Sequence, residues 1–197
     1  LQKALSPNAQ VIIDVIPDLE SIIGPQADCP ELSSSATHNR FMFTFKLFLQ
    51  AFATEDQPLV LFIDDLQWSD IPTLNLIEYC ITDNDMKNFF IIGSYRNNEV
   101  GEGHPLRLSI DEVKKSVDVT ELFLKPLREQ HVNQLVAESV HLSPSECKQL
   151  SNIIYTKSTG NPFFVNLLLK ELHSRGLFIF SDDTGSWQWD IDEIIKL

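Results

Sequence analysis

The chain has 197 residues, with 15 Lys and Arg against 28 Asp and Glu, a formal net charge of −13. A phosphate-neutralising surface needs clustered cations, yet the dense basic pair Lys114-Lys115 stands between Asp111-Glu112 and Asp118, which argues against nucleic-acid binding by this segment. Apolar residues at 43% and charged residues at 22% exclude disordered, collagen-like and coiled-coil compositions.

Cys29, Cys80 and Cys147 are odd in number and far apart, without a CxxC pair. They predict neither a disulfide framework nor a zinc site, and they point to a reducing, cytoplasmic location. Apolar runs such as Leu59 to Ile63 fall far short of the roughly 18 residues of a membrane span, so no membrane partner is expected. Leu1-Gln2-Lys3 lacks a signal pattern and reads as the start of a piece of something longer.

Residues 1–35 show no clear period and read as connecting structure. From about Ala36 to Ala53, Phe41, Phe45, Phe48, Leu49 and Phe52 fall on one helical face, which predicts a core helix. Leu59 to Ile63 is a continuous apolar run, predicting a parallel strand buried on both faces. Asp70 can cap a helix carrying Leu74, Ile77 and Ile81, with Pro72 in its first turn. A second buried strand, Phe89 to Tyr95, completes a βαβ unit.

Helices follow. One spans about Leu127 to Val140, and a second opens at Ser143-Pro144-Ser145-Glu146 with a capping-box pattern and ends at Gly160. A third starts at Asn161-Pro162 and stops at Gly176. Leu177 to Phe180 and Ser186 to Ile191 flank Asp182-Asp183-Thr184-Gly185 as a β-hairpin, with Trp187, Trp189 and Ile191 on its apolar face. The change from βαβ to helices divides the chain into an α/β lobe, 1–122, and a helical lobe with a terminal hairpin, 123–197.

Two acids, Asp64 and Asp65, follow the first strand, where ligands bind in open α/β sheets. One carboxylate there can hold Mg²⁺ and its neighbour can activate water. By spacing alone, Asp64 reads as a strand end and Asp65 as a turn residue, a pattern that chance produces often.

The longer string, Leu59-Val60-Leu61-Phe62-Ile63-Asp64-Asp65-Leu66-Gln67-Trp68-Ser69-Asp70, resembles the Walker B segment of STAND-class, AAA-type P-loop ATPases. These modules occur in serine/threonine-kinase and sensor-histidine-kinase hybrids, MalT-like regulators and adenylate cyclases. Ile91 to Arg96 resembles the sensor 1 strand, and Gly160-Asn161-Pro162-Phe163-Phe164 resembles the Gly-x-Pro motif of the helical lobe. From about Phe41 to Ile191, including Trp-Gln-Trp-Asp at 187–190, the pattern is most similar to that of the kinase hybrids.

The resemblance implies a partial P-loop NTPase sheet, a helical lobe and a winged-helix-like hairpin, with ATP and Mg²⁺ between the lobes. It implies that Asp64 serves Mg²⁺, Asp65 is the base, Arg96 senses the γ-phosphate and Pro162 lies on the adenine, with Gly160 and Asn161 shaping that turn. Without the resemblance, Arg96 is a solvated residue at a strand end, and Gly160 and Pro162 are a helix stop and start.

No glycine belongs to a GxxxxGK[ST] loop. The loop lies upstream of the matched region in the family, so residues 1–197 alone are expected to be inactive. The reading is an ATP-dependent switch inside a multidomain signalling protein, partnered by ATP and its own neighbouring domains. The alternative is a scaffold or protein-interaction module without nucleotide turnover.

Overall fold

The computed structural model describes residues 1–183 and 185–196. The chain forms two compact units, Leu1–Thr120 and Glu121–Leu197.

The first unit opens with three short helices, α1 (Gln2–Leu5), α2 (Ala9–Ile13) and α3 (Glu20–Ile23), and a 3₁₀ turn at Pro17–Leu19. They are not the connecting structure their lack of period suggested. Four or five residues complete barely one helical turn, so no period can develop, yet Leu5, Ala9, Ile12, Ile13, Leu19 and Ile23 bury a common core. That core packs on Phe45 and Phe48 of α4 (Ser34–Gln50). Ser33 caps α4, accepting a hydrogen bond from Ala36 N at 3.4 Å. The phenylalanines of its expected face stack in turn, Phe41 on Phe45 at 5.7 Å, Phe45 on Phe48 at 6.0 Å and Phe48 on Phe52 at 5.2 Å. The buried positions are instead Met42, Thr44 and Lys46, with Lys46 Nζ donating to Asp83 Oδ2 at 2.6 Å.

Strands β1 (Leu59–Ile63) and β2 (Phe89–Gly93) pair in parallel, Leu59 opposite Phe89 and Ile63 opposite Gly93, joined by α5 (Ile71–Thr82). Burial on both faces is not what the strands show. Val60, Phe62, Phe90 and Ile92 are exposed while their neighbours are half-buried, apart from exposed Gly93. The cause is that side chains alternate across a strand and only one face of this two-stranded sheet is covered. Leu66, Leu74 and Leu106 form a small core beside the strand ends. Leu106 comes from α6 (Pro105–Val113), whose cap is His104 Nδ1, accepting from Leu106 N at 3.1 Å.

In the second unit, α7 (Glu129–Val140), α8 (Lys148–Ser158) and α9 (Pro162–Ser174) enclose Val132, Val136, Leu150, Ile154, Val165 and Leu172. Glu146 reaches back to Ser143 N at 2.9 Å, half of a capping box, but regular helix begins only at Lys148, later than expected. Strands β3 (Phe178–Ser181) and β4 (Ser186–Trp189) pair antiparallel. Thr184, expected in the hairpin turn, lies outside the described residues. Trp187 stacks on Phe178 with centroids 4.6 Å apart. Ile191 is not on the strand: Asp190 caps a new helix, α10 (Ile191–Ile195), accepting from Glu193 N at 3.1 Å.

Candidate functional site

The parallel ladder continues one step past both strands. Ser94 N donates to Ile63 O at 2.9 Å, and Leu66 N donates to Ser94 O at 2.9 Å. This fixes the acids at the carboxyl edge of the sheet. A side chain on Gly93 would strike Leu66 Cδ1, so glycine lets the loop close on β2.

Asp64 Oδ1 accepts from the Ser94 hydroxyl and from Asp65 N, the latter at 3.0 Å. Asp65 then turns into the left-handed region, with φ 54° and ψ 40°. Its Oδ1 accepts from Gln67 Nε2 at 2.8 Å and lies 3.7 Å from Arg96 Nε. Arg96 also donates to Glu99 Oε1 at 3.0 Å, and its guanidinium carbon stands 5.2 Å from the centroid of the Trp68 ring. The structure therefore brings Asp64, Asp65 and Arg96 into one cluster. Arg96 is exposed at the strand end and pairs with acids there.

Asp70 closes the loop by accepting from Thr73 N at 2.9 Å. Hydrogen bonds from Thr73 hold its carboxyl below the ordinary value. Asp70 thus anchors α5 and belongs to the frame of the site.

A carboxylate beside a hydroxyl suits Mg²⁺, which keeps several waters and takes one or two protein oxygens. Asp64 and Ser94 make that pair, and Asp64 Oδ2 accepts no hydrogen bond among the described residues. Among those residues, no three His, Cys, Asp or Glu side chains gather as a metal cage. No helix among them is long and apolar enough to cross a membrane.

Gly160, Asn161 and Pro162 lie in the other unit, at the turn from α8 to α9. Gly160 has φ +76°, and its carbonyl accepts from Leu127 N at 2.8 Å. Asn161 Oδ1 caps α9 by accepting from Phe163 N at 2.9 Å, with Pro162 in the first turn. The rings of Phe163 and Phe164, 5.4 Å apart, are exposed beside them. A structural helix stop and start accounts for these local features. Ser94 and Gln67 escaped the sequence reading, because Ser94–Asp64 and Gln67–Arg96 are contacts that depend on the two strand ends meeting; Glu99 pairs locally, three residues after Arg96.

Residues 2–92 match a family model described as AAA ATPase domain. The matched span holds β1, both acids and β2 as far as Ile92, and ends before Arg96. The chain is also similar to hybrid signal transduction histidine kinase G of Dictyostelium discoideum, at 29% identity over 259 aligned positions. That alignment covers all of this chain and 7% of the relative's length. No solved structure matches. The similarity is thus to an AAA-type ATPase module and to a multidomain signalling protein.

Proposed function

We propose that the chain is part of a STAND-type switch that binds and hydrolyses ATP within a multidomain, cytoplasmic signalling protein of the hybrid-kinase kind. The observation that carries this reading is the clustering of Asp64, Asp65 and Arg96 at the carboxyl edge of a parallel strand pair. Asp64, with Ser94 beside it, would hold Mg²⁺. When bound, the ion neutralises charge on the β- and γ-phosphate oxygens. Asp65 is the base. The water oxygen bonds to the γ-phosphorus, the bond to the β,γ-bridging oxygen breaks with its electron pair leaving on ADP, and the water proton passes to Asp65. Arg96 exchanges its exposed acidic partners for the γ-phosphate, an inexpensive exchange because exposed ion pairs are worth little. Gly160, Asn161 and Pro162 form the adenine-side turn of the helical lobe, and the hairpin is its winged-helix-like end. The phosphate cradle has to come from outside these 197 residues.

The test is ATP turnover by the full-length protein. Asp65→Asn should still bind Mg-ATP yet lose roughly 10²- to 10⁴-fold in rate, the usual worth of a general base. Asp64→Asn should blunt the Mg²⁺ dependence of binding. Turnover at the wild-type rate in Asp65→Asn would sink the assignment. The absence of GxxxxGK[ST] in residues 1–197 favours a second reading, a nucleotide-free interaction module. Failure of the full-length protein to bind Mg-ATP would establish it.

A further inference from the structure

Gln67 is only 5% exposed, although its neighbour Trp68 is exposed and Asp65 is only half-buried. Burying an amide is costly unless both of its ends are hydrogen-bonded. Both are. Arg96 N–H can only donate, so it fixes the amide oxygen, Oε1, toward itself at 3.2 Å. The NH₂ group is thereby directed to Asp65 Oδ1 at 2.8 Å. One side chain joins the second acid to the backbone of Arg96, across the end of the sheet.

We propose that Gln67 is a positioning residue that orients the Asp65 carboxylate for proton transfer and holds Arg96 in register with it. The proposal rests on the ATPase reading above. Two forces could orient Asp65, the guanidinium of Arg96 or the amide of Gln67. The guanidinium is 3.7 Å away, with Arg96 exposed and Asp65 half-buried, a pairing that water screens and that side-chain motion weakens. The amide is shorter in reach, buried, and locked at its other end, so it decides the geometry. It commits Oδ1 and leaves Oδ2 without a hydrogen bond among the described residues. Oδ2 is then the oxygen available to take the water proton. Fixing the carboxylate in advance removes rotational freedom that would otherwise be lost on reaching the transition state.

The experiment measures kcat, Mg-ATP affinity and melting temperature for the full-length protein carrying Gln67→Met or Gln67→Glu. Gln67→Met keeps the length and deletes both hydrogen bonds. Gln67→Glu keeps the acceptor for Arg96 N–H but turns an oxygen toward Asp65. Both should lower kcat at least about tenfold, and Gln67→Met should leave the dissociation constant within about twofold of wild type. Wild-type kcat in either folded variant overturns the role of Gln67 while leaving the ATPase reading intact. Loss of rate that merely follows a lower melting temperature, or an equal loss of affinity, assigns Gln67 to packing alone and overturns the proposal as well. A wild-type protein that does not hydrolyse ATP overturns both readings.

Discussion

Gly160→Ala should destabilise the second unit far more than a routine glycine replacement. Two costs add at this position. At φ +76° an alanine pays about 1–2 kcal/mol for left-handed backbone. Its Cβ would also drive into the carbonyl oxygen of Leu127, with Leu127 C and N only 3.1 and 3.2 Å away. These are backbone atoms that cannot swing aside, and Leu127 N is tied to Gly160 O at 2.8 Å. Overpacking of this kind costs about 1–3 kcal/mol, for a sum of about 2–5 kcal/mol. Gly176 is the control, with φ +71° but no heavy atom within 4 Å of an added Cβ. Gly176→Ala should therefore cost only the backbone share, about 1–2 kcal/mol. Urea denaturation of both variants, followed by fluorescence of Trp187 and Trp189, measures the difference. A loss in Gly160→Ala no larger than in Gly176→Ala would refute the steric argument.

The half-buried pair of Lys46 and Asp83 predicts an acid limb in stability. The hydrogen bond from Lys46 holds the Asp83 carboxyl below its ordinary 3.8, so the unfolded chain takes up the proton first as pH falls. Stability contributed by the pair is complete above 3.8 and is lost as pH drops through the lowered value. Urea melts at pH 7 and pH 3 should show this, and Asp83→Asn should flatten that part of the decline; an unchanged acid limb would contradict it. At the strand end, Gly93→Ala should cost about 1–3 kcal/mol because its Cβ meets Leu66 Cδ1. In the double variant with Leu66→Ala that clash disappears, so denaturation should show a cost below the sum of the single variants; strict additivity would argue against the contact.

Residues 59–63 and 89–93 could be read as strands because apolar, β-branched or aromatic side chains run without interruption. The same run says what a strand tolerates on both faces and nothing about what covers it, so the exposure of Phe62 and Phe90 was hidden. Helix α5 was legible through Asp70 and Pro72, side chains whose capping roles are local. Helix α6 was not, since its cap is a histidine nitrogen rather than a usual hydroxyl or carboxylate. At the candidate site, Asp64 and Asp65 stood out through their place after an apolar run, and Arg96 through the resemblance of Ile91 to Arg96 to a sensor 1 strand. Gln67 looked like one more polar loop residue. Its significance comes from a hydrogen bond to Arg96 N, which requires β1 and β2 to be paired in register.

The left-handed backbone at Asp65 narrows what evolution can place there. Asp and Asn visit this region more readily than other residues with a side chain, because their short polar groups bond locally. A longer acid such as Glu would retain the charge but meet the backbone penalty and overshoot Gln67. Alanine would lose the charge and still pay for the turn. Position 65 therefore answers to two structural constraints, the left-handed turn of the loop and the hydrogen bond from Gln67 Nε2, and aspartate, with a short side chain that accepts, meets both.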